Sequence, residues 1–412
     1  VETMVTSLRA GETELQVRRV VISGYYGFSN SGDEAVLKSI LFALEEEGAQ
    51  EGVKIVPIVL SIDPAWTSEM YGVEAVHRMR LGEVIRAIRS SDGLISGGGS
   101  LLQDATSAKT IPYYTGVLKL AQLLRKPTFI YAQGIGPVNR RWMDRLIRGV
   151  MRRSAYVSVR DEGSAQLLGR IGLPRERIDV VPDPVMGLPL PEAAKPLARE
   201  AAAAGGLGLG AAAMPAAAPG RADAPAAAAE GLPLVGVSLR HWRKDGADLA
   251  RVAAALGALA RSRAVRLRFL PFHTPSDAEA SRWVIEQIGD LGASTAEIAT
   301  SGDDPQHMLL EVSRCDALLG MRLHALIYAA NQSVPMVGLS YDPKIDQFLS
   351  RIGIKPIGTT ESLDSASFVV EMARLLDDPA AWRAQHQQAI NQLKQEARMP
   401  AKQIAKLLRL NN

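Results

Sequence analysis

Four side chains able to carry positive charge stand just after three apolar runs. Arg240 follows residues 234–239, His273 follows 265–270, and Arg322 with His324 follows 317–320. Arginine holds phosphate and carboxylate through a planar fork of donors. Histidine gains or loses a proton near neutral pH. If the three runs are parallel strands, their carboxyl ends share one sheet edge. The set then suits a small, doubly charged anion and a proton-transfer step. His77, His307 and His386 lie at no comparable position and read as structural histidines.

Three glycine-bearing loops form a second group. The first is Gly24-Tyr25-Tyr26-Gly27-Phe28-Ser29-Asn30-Ser31-Gly32-Asp33-Glu34. The second is Ser96-Gly97-Gly98-Gly99-Ser100-Leu101-Leu102-Gln103-Asp104, and Ala132-Gln133-Gly134-Ile135-Gly136-Pro137 repeats the idea. Glycines let a ligand approach the backbone closely, and a helix start offers free N–H groups. The first loop has neither the spacing of a dinucleotide fingerprint nor that of a phosphate loop. Asp33 and Glu34 fit two readings, a ligand role or simple compensation of a helix dipole.

Elements must carry these loops. Strand-like runs at 20–23, 53–61, 93–96, 128–132, 156–159 and 178–181 alternate with helical spacing at 33–47, 81–89, 115–124, 141–153 and 162–171. The alternation resumes with strands at 234–239, 265–270, 317–320 and 335–339. Helices are expected at 248–262, 276–288, 305–312, 323–331 and 345–351. Such alternation predicts parallel sheets covered on both faces. The organisation read from it is one domain over 17–190, an Ala/Gly/Pro-rich linker or insertion over 191–232, and a second domain over 233–380. A C-terminal amphipathic helix over 381–412, broken at Pro400, completes it.

Composition sets the outer bounds. The chain has 412 residues, a formal net charge of +3 and a single cysteine, Cys315. That excludes an internal disulfide, and no Cys/His spacing suggests zinc. The charge balance argues against a nucleic-acid partner. No run is long and apolar enough to span a bilayer, and residues 1–16 do not read as a signal peptide. The expected location is cytoplasmic.

In their order along the chain, the loops resemble the polysaccharide pyruvyl transferase family, and within it the CsaB-type enzymes of cell-wall polysaccharide synthesis. The resemblance rests on Gly24-Tyr25-Tyr26-Gly27, Asn30-Ser31-Gly32-Asp33-Glu34, residues 97–104, residues 131–137 and Val159-Arg160-Asp161. Pro271-Phe272-His273 with Asp277, Met321-Arg322-Leu323-His324-Ala325 and residues 338–344 complete it. It implies an α/β, GT-B-like architecture, two Rossmann-like doubly wound domains facing a central cleft. It further implies phosphoenolpyruvate as co-substrate, with no metal or other cofactor. The acceptor would be an N-acetylmannosamine of a lipid-linked cell-wall glycan precursor. The product would be a pyruvate ketal, a ligand for surface-layer homology domains.

On this reading Arg322, Arg240, His273, Leu323 and Lys344 bind the donor. Asn30, Gly98, Gly99, Ser100, Gln103 and Gln133 bind the acceptor sugar. His324 serves as general acid toward the donor's methylene carbon, and Asp33 as base toward a sugar hydroxyl. A nucleotide-sugar glycosyltransferase of the same architecture, or a glycan-binding protein on an inactive scaffold, would share much of this pattern. Lys394, Arg398, Lys402, Lys406 and Arg409 interleave with Leu393, Ile404, Leu407 and Leu408. That pattern suits a helix packed back onto the first domain, or one resting on an anionic membrane surface as a peripheral contact.

Overall fold

The computed structural model describes residues 15–28, 30–105, 107–191, 231–300 and 302–410. Nearly all of the Ala/Gly/Pro-rich stretch, with the linker expected there, lies outside the described residues.

Two parallel sheets organise the chain. The first holds β1 (Gln16–Tyr26), β2 (Val53–Ser61), β3 (Glu74–His77), β4 (Gly93–Gly97), β5 (Thr128–Gln133), β6 (Tyr156–Val159) and β7 (Asp179–Val180). Their order is β3-β2-β1-β4-β5-β6-β7. The second holds β8 (Leu234–Ser238), β9 (Arg266–Phe269), β10 (Thr295–Ile298), β11 (Ala317–Gly320), β12 (Met336–Ser340) and β13 (Gly358–Thr359), in the order β10-β9-β8-β11-β12-β13. Every pairing is parallel.

The central strands β1, β4, β5, β8, β11 and β12 are apolar on both faces, as strands buried between helices require. In β1, Val20 and Ile22 enter one core while Val21 enters the other; Phe129 and Tyr131 oppose Ile130 in β5 in the same way. Covering the first sheet are α1 (Ser31–Gln50), α2 (Pro64–Tyr71), α3 (Leu81–Arg89), α4 (Thr110–Leu123), α5 (Trp142–Met151) and α6 (Glu162–Arg170). With the second sheet go α7 (Ala247–Ser262), α8 (Ser276–Ile288), α9 (Pro305–Ser313), α10 (Leu323–Asn331), α11 (Pro343–Arg351) and α12 (Ser365–Asp377).

In each sheet the strand order reverses once, between β1 and β4 and between β8 and β11. The crevice at such a reversal, outside the strands' carboxyl ends, is where open α/β sheets take ligands. The glycine loops leave β1 and β4, and the Arg240 and Arg322 loops leave β8 and β11. Direct contacts join the halves nearby. Ser31 Oγ donates to the Phe272 carbonyl, and Lys38 Nζ lies 2.5 Å from Asp304 Oδ1. Asn331 Nδ2 donates to the carbonyls of Val185 and Leu188 at 2.8 and 2.9 Å.

The expected break at Pro400 does not occur. One helix, α13, runs over Pro379–Leu410 with Pro400 inside and buried. Its apolar stripe, including Ile390, Leu393, Ala401, Ile404 and Leu408, is buried, and it packs on α1 and on β5. Arg398 pairs with Glu46 at 2.7 Å and Arg409 with Glu51 at 3.2 Å. The expected membrane contact through this helix therefore loses its basis, because the face that would enter lipid is used inside the protein. Among the described residues, no helix is long and apolar enough to cross a membrane.

Candidate active site

The second domain's contribution starts at α10. Arg322 occupies its N-cap position, and no side chain caps the helix. Free N–H groups at such a terminus attract anions. Arg322 is held by Asp277 of α8, a wholly buried carboxylate. Nε donates to Oδ2 at 2.9 Å and Nη2 to Oδ1. The same Oδ2 accepts from the His273 N–H at 2.9 Å. One carboxylate thus orients two of the expected donor ligands. Arg240 donates from Nη1 to the Tyr341 hydroxyl at 2.9 Å and lies over the rings of Trp242 and Tyr341. Its Nε is buried without a hydrogen-bond partner.

The first domain brings α1 against this edge. Asn30 caps α1, its Oδ1 accepting from the N–H groups of Gly32 at 3.1 Å and Asp33 at 3.5 Å. A Cβ on Gly32 would lie 2.7 Å from His324 Cε1, so the histidine ring packs where only glycine leaves room. Gly98 and Gly99 have φ of +55° and +69°, and a Cβ on Gly99 would stand 2.7 Å from Asp33 Oδ1. Glycine tolerates that backbone; other residues are strained in it.

Asp33 and Glu34, adjacent in sequence, diverge. Glu34 is buried and structural, accepting from the Gly27 N–H at 2.8 Å and the Tyr71 hydroxyl at 2.7 Å. Asp33 lies within the electrostatic reach of Arg160 and Asp183. Ser100 accepts from Arg160 Nη2 at 2.5 Å, and Gln103 Oε1 accepts from the Ala105 N–H at 2.8 Å. Gln133 ends β5 beneath the glycine loop, and its Nε2 has no hydrogen-bond partner among the described residues. It is wholly buried, with Oε1 accepting from Ser96 Oγ at 3.0 Å, so it braces the loop from beneath.

Two cavities open here, and His324 lines the first of them. One, of about 290 Å³, is lined by Asn30, Ser31, Gly32, Phe272 and Ser276 with Arg240, His241, His273, Arg322 and His324. Five of those side chains are able to carry positive charge and none is a carboxylate. The other, of about 490 Å³, is lined in part by Arg160, Asp183, Leu323, Lys344 and Arg351. The five expected donor ligands are therefore divided. Arg240, His273 and Arg322 line the first cavity, Leu323 and Lys344 the second. Burial, together with the nearby Arg160, holds the Lys344 amine below its usual range.

The electrostatics single out two groups. Burial pushes the Asp33 carboxyl up to about 7; Glu34 and Asp183 add to the rise and Arg160 opposes it. Burial pulls His324 down, Asp183 resists, and Arg160 and Arg322 add to the fall. His324 Nε2 is 3.9 Å from Asp183 Oδ2 and has no hydrogen-bond partner among the described residues. Shifts of opposite sign on two groups that share Arg160 and Asp183 as charged neighbours mark candidate acid–base sites.

Three residues of the site escape the sequence reading of roles. Arg160 and Asp277 fall within recognisable motif segments, but nothing in them signals their partners, Ser100 and Arg322. Asp183, in Pro182-Asp183-Pro184, carries no signal of spacing or charge. It binds Arg160 Nη1 at 3.4 Å and caps the short turn at Pro184–Gly187. Of the histidines read as structural, His386 is buried, its Nδ1 2.7 Å from the Ile352 carbonyl oxygen.

Two doubly wound parallel domains, with their switch points turned toward each other around such a cleft, define a GT-B-like α/β enzyme fold. The chain belongs to the polysaccharide pyruvyl transferase family, whose model matches residues 30–343. Solved structures agree on the fold. The UDP-GlcNAc 2-epimerase of Methanocaldococcus jannaschii matches with a TM-score of 0.59 at 11% identity, over 96% of this chain and 99% of that one. A glycosyltransferase from Rickettsia africae matches at 0.57 and 11%, over 96% and 100%. The Anabaena protein HepE in complex with UDP matches at 0.57 and 12%, over 95% and 99%. A comparison with curated proteins finds no match.

Proposed function

We propose that the protein uses phosphoenolpyruvate to build a pyruvate ketal on a sugar, the acceptor being an amino sugar of the N-acetylmannosamine type on a lipid-linked cell-wall glycan precursor. The observation that carries the donor assignment is the 290 Å³ cavity, where five groups able to be cationic converge without a carboxylate. A molecule bearing a phosphate and a carboxylate close together matches that charge. The acceptor's identity rests on the resemblance to the CsaB-type enzymes.

The chemistry follows from the atoms. Protonation of the donor's methylene carbon makes its C2 electrophilic. A sugar hydroxyl adds to C2 and gives up its proton, phosphate leaves with the cleaved C2–O bond, and a second hydroxyl closes the ketal, its proton leaving with the phosphate as hydrogen phosphate. His324, which lines the anion cavity, supplies the proton, and Asp33 accepts the hydroxyl proton. Arg240 and Arg322 hold the anion, so positioning and charge neutralisation contribute most of the rate.

The primary test is phosphate release from phosphoenolpyruvate with and without a lipid-linked disaccharide ending in N-acetylmannosamine, the product being weighed by mass spectrometry. Acceptor-dependent release with a gain of one pyruvate less one water is expected. Binding of UDP in place of phosphoenolpyruvate would overturn the donor assignment in favour of a glycosyltransferase.

A proton balance follows. In the free site burial, with Arg160 and Arg322, lowers the His324 pKa. A bound anion beside the ring opposes these effects and raises its pKa. At pH 8, where the donor is already fully ionised, binding should take up protons, and Kd should rise with pH. Calorimetry in buffers of different ionisation heat measures the uptake, and His324→Gln should remove it. Binding without uptake would place the anion away from His324.

A further inference from the structure

The net charge of +3 conceals a concentrated basic segment. Between residues 105 and 159 stand ten Lys and Arg residues and one acidic residue, Asp144. The structure gathers much of this charge along a groove of about 1,040 Å³ between α4 and α5.

Helix α5 explains the arrangement. Met143, Ile147, Val150 and Met151 face the core. The opposite face carries Trp142, 54% exposed, and Leu146, 36% exposed, beside Arg145. Arg148, Arg152 and Arg153 extend the charge and are exposed. On α4, Lys119 lines the same groove and Leu123, one turn further on, is 68% exposed. Among the described residues no ion pair engages Lys119, Arg145, Arg148, Arg152 or Arg153. Elsewhere, by contrast, arginines such as Arg243, Arg351, Arg374 and Arg398 are paired.

We infer that the α4–α5 face of the first domain docks on the surface of an anionic phospholipid bilayer. Exposed tryptophan and leucine set among unpaired arginines match the two layers such a surface offers, acidic headgroups and the acyl boundary beneath. A nucleic acid would meet the charge equally well, but gives the exposed leucines nothing to enter. The face also adjoins the glycine loop after β4. Asp104, at that loop's end, accepts from the Asn139 N–H at 2.8 Å and the Arg140 N–H at 2.9 Å, just before α5 begins. Docking there would hold this loop close to the membrane. The inference rests on the surface alone and does not depend on the donor or the acceptor proposed above.

The test is sedimentation of the full chain with vesicles of phosphatidylglycerol and phosphatidylcholine, or of phosphatidylcholine alone. Binding to the anionic vesicles only is expected, weakening as salt screens the charge. Arg145→Glu/Arg148→Glu/Arg152→Glu should weaken it at least tenfold, and Trp142→Ala/Leu146→Ser should weaken it at fixed charge, with melting temperatures unchanged. Lys402→Glu/Lys406→Glu on α13 should leave it intact. No binding by the parent chain, binding that survives the triple variant, or loss only in the α13 variant would overturn the proposal. So would tight binding of a fluorescent oligonucleotide without binding to vesicles.

Discussion

Asp33→Asn is expected to lower turnover at least about a hundredfold, as loss of a positioned acid–base group does, and also to stabilise the fold. The stabilisation follows from linkage. The folded-state carboxyl has a pKa raised to about 7, above its ordinary value of 3.8. Between those values the native state binds more protons than the unfolded state, so stability falls as pH rises through the window. Above pH 7 the buried carboxylate carries its full penalty, and Asn removes it. Asp33 is half-buried, so the gain is discounted to roughly 1–3 kcal/mol. The gain should be greatest at pH 8 and vanish below about pH 4, where both states are protonated. Thermal melts of both proteins across this range measure it.

The sign decides between the two readings of Asp33. A carboxylate that merely complemented the α1 dipole would stabilise the helix by about 0.3–1 kcal/mol, and Asn would then lower the melting temperature. Activity supplies an independent check. As a base, Asp33 acts only when ionised, so kcat/KM should rise with pH through about 7. A lower melting temperature at pH 8 together with normal turnover would return Asp33 to the helix-dipole role. The combination expected here, less stable but active, is the usual trade at a functional site.

The strands were legible where they are buried on both faces, because such strands read as continuous apolar runs. The runs at 156–159 and 317–320 coincide with β6 and β11, and the spacing at 276–288 with α8. Elements near sheet edges are quieter. β3, Glu-Ala-Val-His, and β10, Thr-Ala-Glu-Ile, are four residues long and never fully buried, so neither periodicity nor hydropathy marks them. Helix α12 did leave a signal that the sequence reading passes over. Asp364 caps it, and Phe368, Met372 and Leu375 follow at helical spacing. At Pro400 the local rule pointed the wrong way. An interior proline costs a helix about 3 kcal/mol, but the buried stripe of α13 on either side of it outweighs that cost.

For the site, loop composition located the crevices and left the pairings hidden. His324 was visible as a residue after a strand; its seat on Gly32 was not, since it depends on the facing of two domains. Gln133 has the chemistry of a sugar ligand, and its burial at a strand end was not legible in the sequence. Arg322 and Asp277 stand 45 residues apart in sequence. Only the parallel order of β9, β8 and β11 brings the loops that follow β9 and β11 together.

That pairing changes what Arg322→Ala should do. With Arg322 read as a donor ligand alone, the substitution would mainly weaken donor use. In the structure it strips a wholly buried carboxylate of its fork. Leaving a buried charge without its partner costs about 3–5 kcal/mol, so Arg322→Ala should melt well below the parent and bind phosphoenolpyruvate at least tenfold more weakly. The two effects separate in Arg322→Ala/Asp277→Asn. Asn keeps an oxygen for the His273 N–H but no charge, so most of the stability should return. Donor affinity should not return, because the arginine is still missing. Thermal melts and donor titrations on the parent, the single and the double variant complete the comparison. Recovery of donor affinity in the double variant would mean that Arg322 serves only to neutralise Asp277, leaving Arg240 and the histidines to hold the anion. An unchanged melting temperature in Arg322→Ala would mean that solvent reaches Asp277 easily once the fork is gone.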